Sequence, residues 1–291
     1  MRHVDIKDKL PELVHEPPDW PTIVRIGDLT KLRARADGSF HRPNFESGLL
    51  LQALVRRSRP ARILEIGTGR GFSTLCMARA LRECGVDGRI LTLDVKGYAE
   101  PQPWAIDTGD GARVRPLSLR DVWEAHFEPD LLSRIEHRTA TSLRALGELL
   151  RNRSFAPQFV YVDGDHSWSV VRHDVYASLL LAEQPFRILL DDYQPRSDLY
   201  GVRRVVDEEL EPRYELEAIY TDGRWHGERN AERPLEQADS AQVLIGSERA
   251  RTPFDAKRAA RIVRTHRRWR PLIDFGMGVR DALRRRLRRR A

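Results

Sequence analysis

The chain has 291 residues, 41% hydrophobic and 32% charged, enough for one sizeable α/β core with appendages and so for one expected catalytic domain. No basic N-terminal segment precedes an apolar run of signal-peptide length, and no run of about 18 apolar residues occurs, which points away from export and membrane spanning and toward the cytoplasm. The net charge of +7 is unevenly spread: residues 251–291 hold 15 Lys or Arg against 3 Asp or Glu, a local +12, which leaves −5 for residues 1–250.

In chain order, residues 1–43 are rich in proline and mixed charge, with Pro17, Pro18, Pro21 and Pro43 interrupting any long helix, and read as an irregular arm or lid. Asn44 is placed to cap a helix from Phe45 to about Arg56 that buries Leu49, Leu50, Ala53 and Leu54 and stops before Pro60. Glu46 opens this helix and reads as a solvated first-turn acid. Residues 63–73 then run Ile-Leu-Glu-Ile-Gly-Thr-Gly-Arg-Gly-Phe-Ser, an apolar strand with one embedded carboxylate, Glu65, a loop with glycines at 67, 69 and 71, and a helix from Ser73. The glycines permit positive φ and the close approach of a ligand. No Lys-Ser or Lys-Thr follows, and the spacing is not G-x-G-x-x-G, so neither a phosphate-binding loop nor a dinucleotide fingerprint fits. A carboxylate beside the loop would repel a pyrophosphate but attract the cationic amino group and sulfonium of S-adenosylmethionine.

Thr74, Met77, Ala78 and Leu81 continue the helix to about Gly85, and Cys76 and Cys84 within it read as small core residues. A second buried strand, Arg89 to Val95, carries Asp94 at its tip, where a carboxylate can accept hydrogen bonds from two ribose hydroxyls. Residues 96–134 are longer than a strand connection requires; they include a short helix around Leu119 to His126 and read as a substrate loop. A short strand near Ile135 to Arg138 is followed by Thr139, Ala140 and Thr141. Another apolar strand, Phe159 to Val162, ends in Asp163, and Trp168, Val171, Val175 and Leu179 form the stripe of the next helix. A fifth strand, Phe186 to Leu190, ends in Asp191-Asp192. Three carboxylates at one end of a sheet repel each other unless a cation or proton neutralises them, and an all-oxygen set favours Mg²⁺, with Mn²⁺ or Ca²⁺ as alternatives. His137 and His173 read as surface or satisfied polar residues.

Tyr214 to Tyr220 and Ala241 to Gly246 read as closing antiparallel strands, with residues 221–240 as a loop over the substrate. The tail allows helices over Lys257 to Trp269 and Val279 to Arg290, the second with Val279, Leu283 and Leu287 opposite an arginine face. Such a helix suits an anionic membrane surface and, less well here, nucleic acid; a solvated tail is the plainest alternative.

Glu65 followed by Gly67-x-Gly69-x-Gly71 resembles motif I of the class I S-adenosylmethionine-dependent methyltransferases. Asp163-Gly164-Asp165-His166 with the later Asp191-Asp192-Tyr193 is similar to the metal-dependent small-molecule O-methyltransferases of the caffeoyl-CoA and catechol type, and more closely to the macrocin O-methyltransferase branch acting on sugar hydroxyls. The resemblance covers roughly residues 44–250, with the tail, 251–291, outside it. It implies a Rossmann-like α/β fold, a seven-stranded, mostly parallel sheet with helices on both faces. It also implies S-adenosylmethionine at Glu65, Gly67, Thr68, Gly69, Gly71, Ser73 and Asp94, with the adenine near Ala140, and Mg²⁺ at Asp163, Asp191 and Asp192. The catalytic residues would be His166, standing where the plant-type enzymes have lysine, and Asp163. Glu183-Gln184-Pro185 replaces the usual Gly-Gly turn.

The function expected is Mg²⁺-dependent O-methylation of a small molecule with adjacent oxygens, a sugar or glycosylated natural product before a catechol. The alternatives are an RNA or DNA methyltransferase using the basic tail and a non-enzymatic, membrane-associated protein retaining the fold. Peripheral membrane contact through the tail and a homo-oligomeric state both stay open.

Overall fold

The computed structural model describes residues 1–16, 19–41, 43–197, 201–225 and 230–266. Strand β1 (Arg2–Asp5) leads into helices α1 (Ile6–Leu13) and α2 (Trp20–Thr30) and a minimal strand pair, β2 (Arg33–Ala34) and β3 (Phe40–His41). The N-terminal segment is therefore built of regular elements rather than an irregular arm. Proline does not prevent its helices: Pro11 lies within α1, Pro21 sits in the first turn of α2, where its missing N–H is not needed, and Asp5 and Asp19 cap α1 and α2 by accepting from the amides of Lys7 and Thr22.

Helix α3 (Glu46–Ser58) follows; Phe45, not Asn44, takes its cap position, while Asn44 Oδ1 accepts from the Glu46 amide at 2.7 Å. The chain continues through β4 (Arg62–Ile66), α4 (Phe72–Glu83) and β5 (Arg89–Asp94). The long connection contains a hairpin, β6 (Gln102–Ile106) and β7 (Arg113–Leu117), which sequence periodicity did not reveal, then α5 (Leu119–His126), as expected, and α6 (Pro129–Leu132). The hairpin is pinned to α2 by Trp104, whose fully buried ring donates Nε1–H to the Leu29 carbonyl at 2.7 Å. Then come β8 (Ile135–Thr139), α7 (Ser142–Asn152), β9 (Phe159–Val162), α8 (Trp168–Leu181), β10 (Arg187–Tyr193), α9 (Gly201–Val205), β11 (Glu217–Tyr220) and β12 (Ala241–Gly246). Residues 256–266 are helical, and the second predicted tail helix, Val279 to Arg290, lies outside the described residues.

The main sheet has the order β1-β11-β12-β10-β9-β4-β5-β8, eight strands rather than seven, the extra one being β1. Only β12 runs against the others, pairing antiparallel with β10 and β11. From β4 the chain moves outward to β5 and β8, then returns to β9 on the other side of β4 and continues to β10. The tips of β4 and β9 thus form the switch point at which doubly wound sheets open a crevice. Side chains alternate across the strands into two cores. Ile63, Ile90, Phe159 and Leu189 pack with α1 to α6 on one face; Leu64, Leu91, Val160 and Ile188 pack with α7, α8 and α9 on the other, so helices cover both faces as expected.

Strand β1 is held at the sheet edge by charge as well as by pairing. Glu217, 1% exposed, meets Lys9 at 2.7 Å, Arg249 at 2.9 Å and Arg2 at 3.2 Å, and against the opposing effect of burial Lys9 and Arg249 hold its carboxyl below the usual range. Removing one member of a buried pair leaves the other uncompensated. Lys9→Met should therefore cost about 3 kcal/mol of stability in urea denaturation; a loss under about 0.5 kcal/mol would mean that the two arginines suffice.

Candidate active site

Strand β4 delivers Glu65 onto the α4 face of the sheet, and the carboxylate does not reach the crevice. It is fully buried beneath the glycine loop, where Oε1 accepts from Ser73 Oγ at 2.5 Å and Oε2 accepts from Thr74 Oγ1 at 2.5 Å and Thr92 Oγ1 at 2.6 Å. Glu65 thus orders the loop from below, through the first two residues after Phe72 of α4 and through β5. Burial pushes its pKa up to about 7, against the three donated hydrogen bonds.

The glycines serve distinct ends. Gly67, at φ +98°, passes so close to β9 that a Cβ would lie 2.0 Å from the Asp163 carbonyl oxygen, and a Cβ on Gly71, at φ +89°, would enter the Trp123 ring. Gly69, at φ +57°, faces open space. Its amide donates to Asp94 Oδ2 at 2.8 Å, and the Lys96 amide donates to Oδ1 at 2.9 Å, so the β5 carboxylate is fixed by backbone while each oxygen keeps a lone pair for a hydroxyl.

Two cavities meet over the switch point, sharing Gly67, Gly69 and Asp163. One, of about 420 Å³, opens over the α7 and α8 face and is lined by Asp94, Ala140, Thr141 and His173. His173 is buried rather than superficial: its Nδ1 lies 2.9 Å from Asp174 Oδ1, and its ring packs 5.0 Å from that of His266. The other, of about 540 Å³, opens over the α2 to α4 face between Lys31, Arg33, Thr68, Ser73 and Tyr161. Of the predicted cofactor residues, Gly67, Thr68, Gly69, Ser73, Asp94 and Ala140 line these two cavities, whereas Glu65 lies below them and Gly71 faces the Trp123 ring. Glu46 also differs from expectation: it is fully buried and accepts from the backbone amides of Gly223 and Trp225.

The β10 aspartates do not act as a pair. The register against β12 breaks between Leu190 and Tyr193, and Asp192 takes the left-handed φ of +58°, a bulge that turns neighbouring side chains apart. Asp191 accepts from Tyr161 Oη at 2.5 Å, and Gln242 Nε2 donates to the same phenol at 3.1 Å. Asp192 instead lies 3.2 Å from His166 Nδ1. Among the described residues, Asp163, His166 and Asp192 form a group whose ligand-type atoms lie within 4.8 Å of one another, and Asp191 stands outside it. Burial, then the charges of Asp191 and Asp192, raise the Asp163 pKa well above the carboxylate range; burial and Asp191 push Asp192 up to about 6, against the pull of His166.

Sequence reading missed Lys31, which lies in the segment taken as an irregular arm, and Tyr161, although its place two residues before Asp163 on one strand puts both on the same face. Burial lowers the Lys31 pKa, while Asp191 and Asp163 pull it the other way.

The Glu65 shift carries a testable sign. A carboxyl near 4.5 when unfolded and about 7 when folded contributes its full stability below pH 4.5 and loses it as pH rises through 7. Relative to wild type, Glu65→Gln should therefore gain up to about 3 kcal/mol between pH 4.5 and 7.5 in denaturant titrations; a pH-independent difference would show that Glu65 stays ionised throughout.

Residues 64–193 match a family model described as a methyltransferase domain, and residues 25–102 match one described as an O-methyltransferase. Among solved structures, an O-methyltransferase from Bacillus cereus in complex with S-adenosylhomocysteine shares 18% identity and a TM-score of 0.50 over 83% of this chain and 97% of its own. The O-methyltransferase TomG from Streptomyces achromogenes, involved in tomaymycin synthesis, shares 17% identity and a TM-score of 0.46 over 83% and 95%. These likenesses concern the fold. Among curated proteins none matches the chain. Both family matches contain the loop built over Glu65, and the first extends to the aspartates that follow β9 and end β10; over these residues the chain matches methyltransferase and O-methyltransferase domains.

Proposed function

We propose that the enzyme methylates a hydroxyl that has a neighbouring oxygen, as in a vicinal diol of a sugar or glycosylated natural product, with a catechol as second choice, and that it requires a divalent cation. The observation that carries this reading is the convergence of Asp163, Asp192 and His166 beside the glycine loop. Their donors fit such an ion: two carboxylates whose pKa values are raised by burial and by the charge of Asp191, an oxygen pair that suits Mg²⁺ or Mn²⁺, with the His166 imidazole beside it. A cation there would supply Lewis acidity to two adjacent substrate oxygens and lower the pKa of one.

The chain's own groups account for the rest. Asp94 and the backbone of Gly67 and Gly69 seat the nucleoside part of the methyl donor, whose sulfonium carries the electrophilic methyl. Asp192 lies against Nδ1 of His166 and orients the ring, and His166 takes the hydroxyl proton as the oxygen–methyl bond forms and the sulfonium–methyl bond breaks to leave a neutral thioether. Tyr161 holds Asp191 away from this exchange.

Calorimetric titration should detect saturable binding of S-adenosylhomocysteine and none of NAD. Asp163→Asn and Asp192→Asn should each weaken Mn²⁺ binding, followed by electron paramagnetic resonance, by about tenfold or more while leaving S-adenosylhomocysteine affinity close to wild type. Equal loss of both ligands would make the aspartates structural. His166→Gln should leave Mn²⁺ binding near wild type; a loss as large as that of Asp192→Asn would assign the imidazole to the ion and not to the proton.

A further inference from the structure

The cavity on the α2 side is lined by three cations, Lys31, Arg33 and Arg70. Lys31 Nζ donates to Ser47 Oγ at 2.9 Å and lies 4.5 Å from the centre of the Phe72 ring; Arg70 donates to the carbonyls of Leu32 and Pro103 at 2.7 and 2.9 Å. All these partners are uncharged. Among the described residues no carboxylate forms an ion pair with any of the three, although Asp163 and Asp191 act on Lys31 at longer range. Burial, and then the charge of Arg33, disfavour the cationic form of Arg70. Like charges gathered on one wall without a counter-charge favour an anion between them.

A second observation says which anion. The Ser73 hydroxyl spends its only proton on Glu65, so toward the cavity it can act only as an acceptor. It suits an ammonium and cannot donate to a carboxylate. A nucleoside whose ribose meets Asp94 in the α7-side cavity would extend an amino-acid arm across Gly67 and Gly69, which line both cavities, into the space between Ser73 and the three cations. The arm's ammonium then faces Ser73 and Asp163, and its carboxylate faces the opposite wall.

We propose that Lys31 and Arg33 bind the carboxylate of the cofactor's amino-acid arm, with Arg70 fixing the Leu32 backbone between them. This rests on the S-adenosylmethionine reading of the glycine loop. It makes the N-terminal segment, and not the loop alone, the part that distinguishes a complete cofactor from a bare nucleoside thioether.

The test compares S-adenosylhomocysteine with 5′-methylthioadenosine, which keeps the base, ribose and thioether but lacks the amino-acid arm. Titrated into the full chain, Arg33→Ala and Lys31→Met should each weaken S-adenosylhomocysteine about tenfold or more, as expected for loss of a charge-assisted hydrogen bond, while 5′-methylthioadenosine binds as to wild type. Lys31→Arg should recover part of the loss. Unchanged S-adenosylhomocysteine affinity in both alanine-type variants would overturn the proposal and leave the cations for an acidic acceptor. Equal weakening of both ligands would overturn it too, by showing general damage to the pocket. Failure of wild type to bind either ligand would instead reject the cofactor reading beneath it.

Discussion

A carboxylate sealed from water, with three hydroxyls turned toward it, is the constraint on which the rest of this structure depends. Glu65 takes protons from Ser73 and Thr74 of α4 and from Thr92 of β5, tying the strand before the glycine loop to the helix after it and to the neighbouring strand. A buried carboxylate with fewer donors would be costly. With three, it sets the distance between β4 and α4, and the loop between them must then turn through the positive φ values that Gly67, Gly69 and Gly71 adopt. The hydroxyl orientations it imposes also decide what the crevice above can offer a ligand.

The two walls of that crevice have opposite electrical character. Acidic groups gather at the tips of β5, β9 and β10, while the cations come from the β2 segment, the end of α2 and the glycine loop. A zwitterionic ligand has a preferred direction in such a field, which a neutral cleft of equal size would not give it. Lys31 acts on Asp163 and Asp191 without pairing with either, its ammonium being held by Ser47 and the Phe72 face.

The central βαβ units were legible in the sequence because each strand is an apolar run with a carboxylate in it or at its end and each helix carries a buried stripe. Glu65, Asp94 and Asp163 all stand where that pattern puts them, and β12 matches its expected span. What sequence could not convey was direction. Asp191 and Asp192 are equivalent as letters, and only the register break against β12 separates one toward Tyr161 and the other toward His166. The N-terminal residues differ from expectation for a related reason: Pro21 falls in the first turn of α2, where it breaks nothing, and the stabilising partner of β1 lies on a strand with no local relation to it.

That partnership fixes when the molecule can be finished. Arg2 pairs with Glu217 and Asp5 with Tyr220, so β1 can find its place in the sheet only after the chain has been made as far as β11. Contacts so remote in sequence close late and slowly. Until β11 has been made, the apolar faces of α1 and α2 lack the sheet edge beside them, and the segment bearing Lys31 and Arg33 is not anchored through β1. A nascent chain stalled or truncated before residue 217 would carry the whole glycine loop and both of its flanking elements, yet with its cationic wall unmoored.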